Sequence, residues 1–181
     1  MRVRVVSALL LLLAGCGIPV DESPETFTLP DVGSDIDDFP AAGELAAAPL
    51  YLVGGEGLVR VTRDLPDPID ARTLVESLLS GVTEPEDRSG LSSSIPSGTD
   101  LVGIDVADRI ATVDLSADFA TVGGQQEIRA VAQIVLTVTQ LVDVDGVVFQ
   151  LDGVRTDVPT ADGALATIAV TSDDYESLIE R

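Results

Sequence analysis

The sequence contains no histidine and no lysine, no tryptophan, and a single cysteine. Without histidine the chain cannot build a Ser-His-Asp or Cys-His relay. Without lysine it cannot form a Schiff base, a Ser-Lys pair or the phosphate clamp of a P-loop. One cysteine also rules out an internal disulfide, so that stability must come from a packed core. These absences exclude most familiar routes to catalysis.

Positive charge is scarce as well. Ten basic residues, all of them arginine, stand against 31 acidic residues, which gives a formal net charge of −21. A surface this acidic repels nucleic acid and anionic headgroups, and we therefore expect no nucleic-acid partner. Hydrophobic residues make up 45% of the chain, which is ample for one domain of about 130 residues.

The first 15 residues have the pattern of a secretory signal peptide, because two arginines precede an apolar run from Val5 to Leu13. That run is too short to span a bilayer as a helix, which takes about 20 residues. The sequence Leu13-Ala14-Gly15-Cys16 resembles a bacterial lipobox. The resemblance implies that diacylglycerol is attached to the Cys16 sulfur and that the chain is cleaved before it. An ordinary signal peptide followed by a chance cysteine is the alternative.

Residues 16–49 have the composition of an acidic tether. Prolines interrupt this stretch repeatedly, it holds eight acidic residues and no basic one, and its apolar residues are too sparse to bury. The acidic cluster between Asp31 and Asp38 lacks the ligand spacing of a calcium loop, so a solvated run is the preferred interpretation. We expect a disordered segment that links the lipid to a domain formed by residues 50–181.

Regular patterns begin at Leu50. Two β-like runs, Leu50–Val53 and Leu58–Thr62, flank a glycine-rich connection and predict a hairpin. Asp70 is a suitable N-cap for a helix that ends near Gly81 and buries one apolar face. The Ser-, Pro- and Gly-rich stretch 83–99 predicts a loop.

A second hairpin turns at residues 107–109, and a second helix is predicted over residues 125–142. A strand near 147–151, another near 166–171 and a short helix with Ser172 as its N-cap complete the pattern. The element order is ββ-α-ββ-α-β(β)-α. This order predicts an α+β fold with a small mixed sheet and helices packed on one of its faces.

The second helix presents polar side chains opposite its apolar stripe. They form a possible partner face, for which the alternative is an ordinary solvated helix surface. The residues of this face are Gln126, Gln133, Thr137 and Gln140.

Several segments, taken in order, resemble the GerMN domain, a module named for a spore-germination protein and found in bacterial envelope lipoproteins. The segments are Leu50–Val53, Leu78–Gly81, Ser94–Leu101, Ile110–Ser116, Gln133–Thr139, Val147–Gly153 and Val170–Tyr175. No single segment is specific to this family, but the ordered set is, and it covers most of residues 50–181. The resemblance implies a fold similar to ring-building modules and a non-catalytic role in assemblies outside the membrane.

Few residues suggest chemistry of their own. Asp105, Asp114 and Asp118 lie close in sequence and could serve a glycosidase-like mechanism, but acidic residues in this chain serve mainly solubility. Asp143 and Asp145 mimic the start of a calcium loop whose other ligands are missing. We therefore predict no catalytic, metal or cofactor site.

The sequence then favours a lipid-anchored module at the outer face of the cell membrane. Its expected partner is another envelope protein or a second copy of itself. A cell-wall or small-ligand-binding lipoprotein is the second hypothesis, and an enzyme is a distant third.

Overall fold

The computed structural model describes residues 44–180, and its longest elements are two β-hairpins and two of its three α-helices. The predicted signal peptide, the lipidation site Cys16 and the tether up to residue 43 lie outside the described residues. The mixed α+β fold class is confirmed. The strands form two main sheets and a small ribbon instead of the predicted single sheet.

The first sheet is antiparallel, with strand order β2-β1-β3. Its strands are β1 (Leu45–Gly54), β2 (Gly57–Pro66) and the short β3 (Leu91–Ser92). Strands β1 and β2 pair along ten positions and are joined by a two-residue turn whose first residue, Gly55, has a φ of +55°. Strand β1 begins before the tether boundary predicted at Pro49. The reason is that residues 45–54 carry no charge and Ala48 is completely buried.

The first helix, α1 (Ala71–Leu79), matches its prediction. The side chain of Asp70 accepts a hydrogen bond from the Thr73 amide at 2.8 Å, as an N-cap should. A second helix, α2 (Glu84–Arg88), lies within the stretch predicted as a loop. It forms because Thr83 and Glu86 build a capping box, in which each side chain bonds the other residue's backbone amide.

The second sheet has strand order β4-β5-β6-β7. Its strands are β4 (Leu101–Ala107), β5 (Ile110–Leu115), β6 (Gly146–Leu151) and β7 (Val154–Thr156). Strands β5 and β6 run parallel, and their connection contains a 3₁₀ helix (Ala117–Thr121) and helix α3 (Gln125–Val138). The predicted turn between β4 and β5 is confirmed, with positive φ angles at Asp108 and Arg109.

Helix α3 is four residues shorter than predicted. It ends at Val138 and is capped by Thr139, whose hydroxyl donates to the Val135 carbonyl at 2.7 Å, and the next residues continue in a tighter turn. Residues 130–138 are buried on every side, because the helix packs against β1, β6 and β8 as well as against α1. Helix α3 is therefore the centre of the core, whereas the prediction placed helices on one face of a sheet.

The C-terminal part consists of a ribbon, β8 (Val158–Pro159) with β9 (Leu165–Ala166), and a 3₁₀ helix (Ser172–Leu178). Thr171 caps this helix, one residue before the predicted N-cap Ser172. The strand predicted near 166–171 is reduced to β9 and a bridge between Val170 and Val147. Within residues 44–180 no helix combines the length and the apolar content needed to cross a membrane.

Candidate functional site

Two members of the predicted partner face are inside the protein. Gln133 and Thr137 have no exposed surface, so they cannot meet a partner in this fold. The prediction failed because it assumed that helix α3 has one buried stripe and one solvated face. The helix is instead enclosed, and its polar residues make hydrogen bonds within the core.

Those hydrogen bonds hold the outer edge of β1. The Tyr51 amide donates to Thr137 Oγ1 at 3.0 Å, and Gln133 Nε2 donates to the Tyr51 carbonyl at 3.1 Å. Both backbone groups of Tyr51 on this edge are therefore satisfied by a helix instead of by another strand. Two residues earlier, Pro49 has no amide hydrogen to offer there.

The other two predicted residues are exposed but lie at opposite ends of α3. Gln126 lies in its first turn and donates to the Ser94 carbonyl at 3.3 Å. Gln140 follows the helix and donates to the Leu136 carbonyl at 3.1 Å. The four predicted residues thus do not form one surface. The lipidation site Cys16 lies outside the described residues.

A groove with a volume of about 620 Å³ lies beside α3. The end of α1 forms one wall, the segment 93–98 forms the other, and Thr121 and Gln126 lie at one end. Its lining residues are Leu78, Leu79, Ser80, Gly81, Val82, Ser93, Ile95, Pro96, Ser97, Gly98, Thr121 and Gln126. None of these side chains is charged, although the protein is strongly acidic.

Arg63 fixes the first wall. Its guanidinium donates to the Ser77 carbonyl at 2.6 Å and to the Gly81 carbonyl at 2.7 Å, both at the end of α1. It also makes two hydrogen bonds to the Glu86 carboxylate, at 2.8 and 2.6 Å. These hydrogen bonds from Arg63, with further ones from Thr83, lower the pKa of Glu86 from 4.5 to about 2. One side chain thus joins β2, α1 and α2.

Gln133 fixes the second wall. Its Oε1 accepts a hydrogen bond from the Ser94 amide at 2.7 Å, while its Nε2 holds β1. The Ser93 hydroxyl accepts from the Ile95 amide at 3.2 Å, which shapes the same segment. Both walls are therefore held by buried or half-buried side chains, and the groove is preformed.

The groove is equipped for binding more than for catalysis. Its serine hydroxyls have no imidazole to activate them, since the chain contains none, and no carboxylate lines it. What it offers is hydroxyls, backbone groups at two glycines and a few apolar side chains. Such a lining suits a neutral, polar ligand or a segment of another protein.

The residues that build this groove were not predicted from the sequence. Arg63 occupies an inward position in the alternating pattern of β2, between Val61 and Leu65, and a charge at such a position signals a buried partner. The segment 93–98 was interpreted only as a loop. Its role depends on contacts with α3, which is distant in sequence.

The carboxylates that the sequence suggested for catalysis or calcium binding either support the local structure or are exposed to solvent. Asp114 accepts a hydrogen bond from the Gly153 amide at 2.9 Å and so supports a turn. Asp105 and Asp118 are exposed. Asp145 accepts two hydrogen bonds from the Arg109 guanidinium, which lower the pKa of Asp145. Within residues 44–180 no three acidic or cysteine side chains come together as metal ligands would.

Comparison with protein families gives a match that covers most of the described fold. A family model described as Germane, sporulation and spore germination, matches residues 49–157, which is more than half of the chain. Every residue that lines the groove lies within this span. The match confirms the resemblance stated from the ordered segments. No curated protein sequence matches the chain.

Solved structures with this fold share little sequence with the chain. The first GerMN domain of the sporulation protein GerM from Bacillus subtilis has a TM-score of 0.55 at 21% identity, over 71% of this chain and 98% of that domain. The tandem GerMN domains of the same protein have a TM-score of 0.56 at 20% identity, again over 71% of this chain. The chain spans about half, 47%, of that tandem structure.

A third similar structure is that of a candidate lipoprotein from Clostridium perfringens. Its TM-score is 0.51 at 18% identity, over 74% of this chain and 92% of that one. At such low identities these likenesses establish the fold alone.

Proposed function

The chain belongs to the Germane family of sporulation and spore germination, and from that membership we propose that it is a lipid-anchored interaction module of the cell envelope. It holds neighbouring molecules by shape and performs no reaction of its own. The observation that carries this proposal is the preformed, uncharged groove, which lies entirely within the family's span and contains no acid, base or activated nucleophile.

The anchor is proposed from the sequence. Leu13-Ala14-Gly15-Cys16 supplies the pattern for lipid attachment at the only cysteine of the chain. The similarity in fold to a candidate lipoprotein from Clostridium perfringens supports this assignment. Several acyl chains, each contributing about 0.8 kcal/mol per buried CH₂ group, would retain the protein at the outer face of the cell membrane.

The anchor is tested by Cys16→Ser in the full chain. We expect the variant to keep its leader peptide and to leave the membrane fraction, while the unaltered chain gains the mass of a diacylglycerol group at its processed amino terminus. Mass spectrometry and fractionation measure the two effects. Retention and processing equal to those of the unaltered chain would refute the anchor.

The groove is tested by filling it. Ser97→Trp places a bulky side chain on one wall, and Gln140→Trp is the matched control because Gln140 is exposed away from the groove. Affinity capture from envelope membranes, followed by mass spectrometry, should recover partners with the unaltered chain and the control that are lost with Ser97→Trp. Equal recovery with all three would show that the groove binds no partner.

A second candidate function, binding of cell-wall material, is favoured by the neutral polar lining of the groove. Purified peptidoglycan should then retain the unaltered chain and release Ser97→Trp. The absence of tryptophan from the chain counts against this candidate, because glycan sites usually present aromatic platforms.

A further inference from the structure

Strand β2 has two edges, and only one of them faces β1. Gly54 and Gly57 flank a two-residue turn and therefore exchange backbone hydrogen bonds across the hairpin. In an antiparallel pair the next residue along each strand points its amide and carbonyl the other way. Counting from Gly57, every second residue of β2 turns its backbone groups away from β1. These residues are Leu58, Arg60, Thr62 and Asp64.

Two observations confirm this orientation. The carbonyl of Leu58 accepts a hydrogen bond from the Glu180 amide at 2.9 Å, on the side away from β1. Tyr51, which lies opposite Arg60, bonds α3 with its own outward groups. Beyond Leu58, no residue of the described range 44–180 pairs with the outward amides and carbonyls of Arg60, Thr62 and Asp64.

The open edge carries its own charge pattern. The side chains of Arg60, Thr62 and Asp64 are all exposed and lie on one face of the sheet, with Thr62 midway between a positive and a negative charge. A bare edge of this kind is a template for another strand unless something blocks it. Here the charges are arranged so that they can complement an identical edge.

We propose that a second copy of this chain pairs with β2 edge to edge, antiparallel, about a two-fold axis at Thr62. Thr62 then lies opposite Thr62 of the second copy and exchanges both backbone hydrogen bonds with it. Arg60 of each copy lies opposite Asp64 of the other, which gives two equivalent ion pairs on the exposed face. On the opposite face, Val59 lies across from Leu65. This inference rests on the proposed function, since it names one partner of the interaction module.

The charges select this register. A slide of two residues in either direction places Arg60 and Asp64 opposite neutral residues, so that both ion pairs are lost. A slide of four residues puts Asp64 opposite Asp64 in one direction and Arg60 opposite Arg60 in the other. Parallel pairing of identical residues also brings like charges together. Since like charges directly opposite destabilise a strand pair, only the register centred on Thr62 makes both charged pairs favourable.

The pairing is expected to be weak, and the anchor is expected to favour it without being required for it. The chain carries a net charge of −21, so two copies repel each other until salt screens the repulsion. A single strand edge also buries little surface compared with a stable dimer. Attachment of both copies to one membrane raises their effective concentration and offsets these costs.

Disulfide trapping in membranes tests the geometry. Thr62→Cys in the full chain places two thiols across the axis, at a Cα separation of about 5.5 Å, which lies within the range of about 4.4–6.8 Å for disulfides. Mild oxidation should yield a covalent dimer of the chain. The parent chain, with Cys16 alone, and Gln140→Cys, with an exposed thiol elsewhere, should yield none.

Three outcomes of this trapping would overturn the proposal. They are no dimer from Thr62→Cys, equal dimer from Gln140→Cys, or a crosslink from the thiol of the Thr62→Cys variant to a different protein.

Charge reversal tests the register in solution, by sedimentation of the full chain in detergent at moderate salt and at protein concentrations high enough to populate a weak dimer. Arg60→Asp and Asp64→Arg should each weaken self-association about tenfold or more, because each places like charges opposite one another twice. The double variant Arg60→Asp/Asp64→Arg should recover it. A mixture of the two single variants should form mixed dimers, since their edges complement each other. Equal association of all variants, or a monomer throughout, would refute the pairing.

The test of edge pairing can be distinguished from the test of the lipid anchor. Cys16→Ser can abolish membrane retention while leaving the detergent equilibrium and its charge dependence unchanged. Conversely, a retained lipoprotein that stays monomeric with every variant refutes only the edge pairing.

Discussion

The two edges of the β1–β2 hairpin have opposite surroundings. Tyr51 and Arg60 lie directly opposite each other, and both turn their backbone groups out of the hairpin. On the Tyr51 side, buried Gln133 and Thr137 of α3 supply the missing hydrogen bonds. On the Arg60 side, the described part of the chain supplies none.

The contrast separates stability from recognition. A covered edge costs free energy when its cover is removed, because buried amides and carbonyls then lack partners. An open edge loses nothing from the fold when its side chains change, so selection can adjust its charges for a partner. Three predictions test this division, and each has a control from the exposed surface.

The largest effect is expected from Gln133→Leu. The change keeps the side chain's size but leaves the Tyr51 carbonyl and the Ser94 amide without partners, which should cost about 2–5 kcal/mol of unfolding free energy. Chemical denaturation measures the loss. Gln126→Leu, at the exposed start of the same helix, should stay within about 0.5 kcal/mol of the unaltered protein. Similar values for the two variants would contradict the assigned role of Gln133.

An intermediate effect is expected from Glu86→Gln. This variant tests the ion pair between Arg63 and Glu86, which joins β2 to α2. The pKa of Glu86 falls from 4.5 to about 2 on folding, so its contribution is complete above about pH 4.5 and is lost as the pH falls toward 2. The variant should cost about 2 kcal/mol near neutral pH, after allowance for solvent screening.

The pH dependence of the Glu86→Gln effect is the sharper measurement. The difference in unfolding free energy between variant and parent should shrink between pH 4.5 and 2. Glu84→Gln removes a carboxylate of the same helix that is exposed and 3.7 Å from Arg88, and near neutral pH it should cost less than about 0.5 kcal/mol. A constant difference across this range would mean that the Arg63–Glu86 pair is not the cause.

The smallest effect compares two threonines on the two sides of the hairpin. Thr137→Val leaves the Tyr51 amide unpaired in the core and should cost about 1–2 kcal/mol. Thr62→Val makes the same chemical change on the open edge and should alter stability by less than about 0.5 kcal/mol. Thermal unfolding of the pair under one condition measures both. Equal losses would show that both edges are covered.

Local signals predicted the elements, whereas contacts distant in sequence decided what they bury. The hairpins followed from glycine turns and alternation, and α1 followed from its Asp70 cap and apolar spacing. Helix α2 was missed although Thr83 and Glu86 have the spacing of a capping box. Its short, wholly polar sequence gave no periodicity to detect.

Helix α3 shows most clearly what could not be predicted from the sequence. No charged residue lies between Arg129 and Asp143, and this gap was a sign that the helix is enclosed. The placement of Gln133 and Thr137 still depended on where β1 would lie, more than 80 residues away in sequence. The groove depends on the same packing, so the sequence did not reveal it.

Pro49 on the outer edge of β1 limits how far such a sheet can extend. With no amide hydrogen at that position, and with α3 and β3 occupying the positions that follow, a further strand has no continuous place to add on that side. The sheet can therefore be extended only at the edge of β2, and a symmetric contact there occupies that edge in both molecules. Association by this route would terminate at two copies and would not extend into fibres.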